Sequence, residues 1–185
     1  MRVVARTTPK VFLLTGIPGA GKTTVTKALA ARFPRGVAIE SDWLQESIVS
    51  GGLWPNEEPL DEARRQLELR AKNVAMLADN FVEAGFLAVI DDVVPGPNRL
   101  QTILESLKAR PVALVVLAPP LEVALSRDEH RGYERVGDLW AHLDAEMREK
   151  LAGTGLWLDT GEMKVEETVD AILERTDEAV LPQNG

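Results

Sequence analysis

Residues Lys10–Leu29 read KVFLLTGIPGAGKTTVTKAL, and three patterns follow one another there without a gap. Val11–Leu14 is an unbroken apolar run, as in a strand buried on both faces. Gly16-Ile17-Pro18-Gly19-Ala20-Gly21-Lys22-Thr23 then fits G-x-x-x-x-G-K-[ST] at every position. Val25, Ala28 and Leu29 follow at helical spacing. Glycines allow positive φ and turn backbone N–H groups toward an anion, while a helix N-terminus adds unpaired donors and the positive end of its dipole. Lys22 can reach terminal phosphates and the Thr23 hydroxyl can ligate Mg²⁺. The expected nucleotide contacts are Gly16, Pro18, Gly19, Ala20, Gly21, Lys22, Thr23 and Thr24. A glycine-rich turn without a ligand is the alternative, and the strand before and helix after weigh against it.

A chain of 185 residues suits one α/β domain, taken here as 1–185. Twenty-one basic against 29 acidic residues leave a net charge of −8, which disfavours a general nucleic-acid or anionic-membrane surface. With no cysteine there is neither a disulfide framework nor a thiolate metal site. Val11–Leu14 is too short for a signal-peptide core, and no stretch approaches the ~20 apolar residues of a membrane span. The expectation is a cytoplasmic enzyme, its oligomeric state open between monomer and homodimer.

Outward from the loop, five apolar strands alternate with helices. They are Val11–Leu14, Val37–Glu40, Phe86–Ile90, Val112–Leu117 and Leu156–Leu158. Such alternation predicts a parallel sheet covered on both faces by helices. Helices are expected over Trp43–Ser50, Asp61–Glu83, a segment ending near Arg110, Val136–Leu151 and Val165–Arg175. Leu67, Ala71, Val74, Leu77, Ala78 and Phe81 form the apolar face of the longest, which Gly85 stops. Leu53–Leu60, with Pro55 and Pro59, reads as a loop forming part of an acceptor pocket. Residues 1–8 and 181–185 read as loose tails.

Ligands of parallel sheets lie at the carboxyl ends of the strands, so the residues there carry the chemistry. Asp42 follows the second strand and can accept the proton of an attacking hydroxyl or orient it. Asp42 and Gln45 also have the spacing of a capping box. Asp91-Asp92 ends the third strand; one carboxylate is expected in the metal shell or on the acceptor, the other as a turn cap. Asp92 is the functional choice, the reverse remaining open. Arg127, His130, Arg131 and Arg135 crowd a segment with Gly132 and Gly137, and a lid over about 127–137 is expected to bring Arg127 and Arg131 to the transferring phosphate. A solvated face paired with Asp128, Glu129 and Glu134 is the alternative. Asp159-Thr160-Gly161 is read either as backbone near a nucleotide base, with Thr160 as the contact, or as an ordinary turn, and Trp43 and Trp54 either at the acceptor or in the core. His130 and His142 lack the companions of a transition-metal site.

The phosphate loop GIPGAGKTT, the Asp in ESDWL and the AGFLAVIDDVV strand before an arginine-rich segment resemble small P-loop kinases, and most nearly the chloramphenicol phosphotransferase-like group. Gluconate kinase, zeta toxins and polynucleotide kinase domains are similar more distantly. The resemblance spans roughly Val11–Leu173. It implies the P-loop NTPase fold with strand order 2-3-1-4-5, ATP and Mg²⁺ as cofactors, and transfer of phosphate to a hydroxyl. It also implies Lys22 and Thr23 on the nucleotide, Asp42 as base, and Arg127 and Arg131 in the lid. Polynucleotide kinases typically carry Arg where this chain has Gln45, which weakens a 5′-hydroxyl nucleic-acid substrate.

The expected function is therefore an ATP-dependent phosphotransferase acting on a small hydroxyl compound such as an antibiotic, sugar or nucleoside. Its catalytic residues are Asp42, Lys22, Arg127 and Arg131, its metal ligands Thr23 and Asp92, and its acceptor contacts Asp42, Trp43, Trp54 and Asp92. A polynucleotide or nucleotide kinase, and an ATP-binding regulatory protein with weak hydrolysis, are the competing readings.

Overall fold

The computed structural model describes residues 8–129 and 137–182. Five strands are present: β1 (Val11–Thr15), β2 (Gly36–Glu40), β3 (Leu87–Asp91), β4 (Val112–Leu117) and β5 (Leu156–Leu158). All pair in parallel, in the order β2-β3-β1-β4-β5. The parallel sheet expected from alternation, and the order implied by the resemblance, are both found. The helices are α1 (Lys22–Ala30), α2 (Ser41–Glu46), α3 (Leu60–Glu83), α4 (Pro97–Ser106), α5 (Leu121–Glu129), α6 (Gly137–Lys150), α7 (Val165–Glu174) and α8 (Thr176–Ala179).

β1 and β4 have neighbours on both edges and helices over their faces, so every residue in them is buried. That is why both read as uninterrupted apolar runs. α1 packs on β3 and α7, and α3 packs on β3 and α4. α3 ends as expected: Gly85 takes φ +84°, and the Phe86 amide reaches back to the Phe81 carbonyl at 2.9 Å.

Several boundaries differ from expectation for local reasons. α2 stops at Glu46 rather than Ser50, where the Ser47 hydroxyl donates to the Leu44 carbonyl at 2.7 Å ahead of β-branched Ile48 and Val49. α4 stops at Ser106 rather than near Arg110, because the Asp79 carboxylate of α3 accepts from the Lys108 and Ala109 amides. Leu181 is not loose: β5 pairs only with Val115–Leu117 of β4, and beyond its reach the Leu181 amide donates to the Val112 carbonyl at 2.9 Å beside a Val180–Ala113 bridge. Among the described residues no helix is long and apolar enough to cross a membrane.

Candidate active site

β1 delivers the chain to the phosphate loop. Gly19 has φ +79°, and a Cβ there would stand 2.0 Å from the Ala124 carbonyl oxygen. Gly16 would place a Cβ 2.5 Å from the Leu117 carbonyl oxygen. Conformation and space both exclude a side chain at these two positions. Gly21 caps α1 in the left-handed region, and among the described residues no side-chain hydrogen bond caps the start of the helix. Its first amides are left for an acceptor from outside the helix, which fits a phosphate chain. The Lys22 ammonium lies back along the loop, donating to the Ile17 carbonyl at 3.2 Å.

The Thr23 hydroxyl donates to Asp91 Oδ2 at 2.7 Å. Burial pushes the Asp91 carboxyl above its ordinary value; the charges of Asp42 and Asp92 add to the rise, while Lys22 and the Thr23 hydroxyl oppose it. Two oxygen donors side by side fit Mg²⁺, which keeps water and phosphate oxygens for the rest of its shell. Among the described residues no group of three or more His, Cys, Asp or Glu forms a cage of its own.

Asp92, expected as the metal and acceptor carboxylate, stands elsewhere. It is 1% exposed, and both its oxygens are engaged. Oδ1 accepts from Ser41 Oγ at 2.8 Å, Arg70 Nη2 at 3.1 Å and the Val93 amide at 3.0 Å; Oδ2 accepts from Arg99 Nη2. A carboxylate so fully bonded has little left to offer a metal. Asp91 is the residue placed beside Thr23.

Asp42 lies in the first turn of α2 and is exposed, with Arg70 Nη1 at 3.3 Å from Oδ1. The expected capping box is not formed. The helix begins two residues earlier than expected, at Ser41, and the Gln45 amide turns inward to the Leu53 carbonyl and Gln66 Oε1. Arg70 thus bridges Asp42 and Asp92. Arg70 and Arg99 were not anticipated as site residues, although a signal existed. Gln66, Arg70 and Val74 recur at intervals of four on the buried face of α3, so a guanidinium interrupts an apolar stripe.

Arg127, at the end of α5, donates through Nη2 to the carbonyls of Thr160 and Gly161 at 3.2 and 3.0 Å. It borders a cleft of about 490 Å³ with Gly19, Ala20, Gly21, Thr24 and Thr160. Met163, Lys164 and Val165, which nothing in the sequence singled out, line the same cleft. His130, Arg131 and Arg135, with the rest of the expected lid as far as 136, lie outside the described residues. Trp43 and Trp54 are surface residues rather than core, 64% and 38% exposed.

With this geometry in place, the sequence pattern of a family described as an AAA domain matches residues 13–150. The chain belongs to that AAA domain family. Solved structures share the fold of this AAA domain across nearly its whole length. A sugar kinase from Janibacter sp. HTCC2649 superposes with a TM-score of 0.67 at 21% identity, over 91% of this chain and 95% of the other. The tunicamycin resistance protein of Deinococcus radiodurans gives 0.66 at 17%, over 93% and 98%. A gluconokinase from Sinorhizobium meliloti 1021 gives 0.64 at 21%, over 91% and 93%. The resemblance to small P-loop kinases read from the loop and strand ends therefore holds at the level of fold. A curated relative, a UPF0200 protein of Aeropyrum pernix, is 32% identical over 83 residues. That match spans 44% of this chain and 44% of the relative, less than half the relative's length.

Proposed function

We propose that this AAA domain transfers the γ-phosphate of ATP to a hydroxyl of a small molecule. The observation that carries the reading is the placement of Asp42: Glu40, two residues before it, is paired with Asp91 across β2 and β3, and Asp91 accepts from the Thr23 hydroxyl at 2.7 Å. A carboxylate able to receive a proton thus stands near the loop that would hold the phosphates. The likeness of the fold to a sugar kinase and a gluconokinase supports the same reading.

The amides of residues 19–23 and the Lys22 ammonium bind the phosphate chain. Thr23 and Asp91, rather than Asp92, would hold Mg²⁺, which when bound neutralises charge on the phosphate oxygens. Arg70 holds Asp42 so that one oxygen meets the acceptor hydroxyl and takes its proton as the new O–P bond forms. The bond to the leaving ADP oxygen breaks with its electron pair on that oxygen. Arg127, with Thr160, borders the nucleotide cleft, and Arg131 is proposed to approach the phosphate from the segment that follows. The work of the protein is positioning and charge stabilisation.

The test is incubation with γ-labelled ATP, Mg²⁺ and a library of sugars, antibiotics, nucleosides and oligonucleotides. Label in a small hydroxyl compound is expected, with Lys22→Ala abolishing it. Slow hydrolysis to ADP with no labelled acceptor, or unaltered turnover in Lys22→Ala, would exclude the proposal.

A further inference from the structure

Leu53 lies in the connection between α2 and α3, and both of its backbone polar groups are taken by glutamine side chains. Its N–H donates to Gln66 Oε1 at 2.8 Å, and its carbonyl accepts from Gln45 Nε2 at 2.8 Å. The two side-chain amides are joined to each other at 3.2 Å, and Gln66 Nε2 donates onward to the Gly51 carbonyl at 2.7 Å. Both glutamines are buried. The segment they hold is not: residues 49–52 and 54–61 are all exposed. Ordering a stretch that buries so little apolar surface contributes little to the stability of the fold, and such segments are ordinarily the loosest parts of a chain. The clamp therefore has its use at the surface it shapes.

Both glutamines also belong to the elements that handle Asp42. Gln45 is on α2, three residues after Asp42. Gln66 is one turn before Arg70 on α3, on the same helix face. The connection is thereby pinned to the base and to the residue that orients it. Trp54 follows the clamped residue directly, its own amide donating to Glu57 Oε2 at 2.7 Å.

We propose that Gln45 and Gln66 are positioning residues that fix residues 51–54 against Asp42 and so determine which hydroxyl compounds the site accepts. This rests on the phosphotransferase reading above. Losing a buried amide from the clamp should raise the acceptor KM by about tenfold, the size of one or two well-placed hydrogen bonds, while kcat and the ATP KM stay within about twofold. A merely structural role would move all three together.

The experiment compares wild type, Gln66→Leu and Gln45→Met with gluconate, chloramphenicol and uridine as acceptors, and follows amide hydrogen exchange in the same full-length proteins. Faster exchange at Leu53, unchanged exchange at Leu13 and Ile90, and a raised acceptor KM alone are expected. Gln45→Met removes the donor to the Leu53 carbonyl and to Gln66 Oε1 but leaves the Gln66 bonds to the Leu53 amide and the Gly51 carbonyl, and serves should Gln66→Leu not fold. Faster Leu53 exchange with an unchanged acceptor KM would overturn the proposal, as would parallel rises in both KM values. A wild-type protein that binds MgATP but phosphorylates none of the three overturns the phosphotransferase reading for these acceptors, and the positioning role with it.

Discussion

Arg70 and Asp92 form an ion pair at 3.1 Å in which the two side chains are only 5% and 1% exposed. Arg99, 8% exposed, closes on the other oxygen of the same carboxylate. Buried charges endure when they are paired and hydrogen-bonded, and removing one partner leaves the rest without compensation. Asp92→Ala should therefore destabilise the protein by about 3–5 kcal/mol, since it strands two buried guanidinium groups. Arg70→Met should cost less, because Arg99 still faces Asp92. Urea unfolding decides the order; an Asp92→Ala protein within about 1 kcal/mol of wild type would contradict it.

The glycine loop yields a second contrast. Gly19 and Gly153 have similar φ, +79° and +73°. A Cβ at Gly19 would lie 2.0 Å from backbone, whereas one at Gly153 meets nothing within 4 Å. Gly153→Ala should cost about 1 kcal/mol from backbone strain alone. Gly19→Ala should cost several times that or fail to fold, because α5 would have to move. Thermal melts of the two variants, side by side, test whether space or conformation dominates at the loop.

What could be read in the sequence was what is local in it. The loop was legible because Gly19, Lys22 and Thr23 act within a few residues of one another, and β1 and β4 were legible because burial on both faces leaves the apolar runs Val11–Leu14 and Val112–Leu117. The choice between Asp91 and Asp92 was not. It depends on Arg70, 22 residues from Asp92, and on Arg99, which only folding brings to the end of β3. The capping-box spacing at Asp42 and Gln45 misled for a related reason: Gln66, on another helix, offers the Gln45 amide a buried partner. The held tail at Leu181 likewise depends on how short β5 is, and that is a property of the sheet.

Asp42→Asn separates chemistry from binding. The amide fills the same space and can still accept from Arg70, but it cannot take a proton. Turnover is expected to fall by about 100-fold or more, the range for loss of a general base. The affinity for MgATP, measured by calorimetry, should stay within about twofold, because the phosphate loop is untouched. A variant with near-normal turnover would leave Asp42 with no role in the proton's path.

Asp91→Asn should trade activity for stability, and the direction depends on pH. Burial holds the Asp91 carboxyl above its ordinary 3.8 in the folded chain. The folded state therefore binds more protons than the unfolded one from about that pH up to the raised value. Stability contributed by this group falls as pH rises through that window, and the full penalty persists above it. Asparagine carries no such penalty and keeps an oxygen for the Thr23 hydroxyl. In metal-free protein, Asp91→Asn is expected to melt higher than wild type at neutral pH, the gap closing as pH falls toward 3.8. The same variant should lose most of its Mg²⁺-dependent turnover, since a neutral amide is a poorer ligand for a hard cation than a carboxylate. A gap that widens on acidification would mean that the charge on Asp91 stabilises the fold, and that Lys22 and Thr23 outweigh its burial.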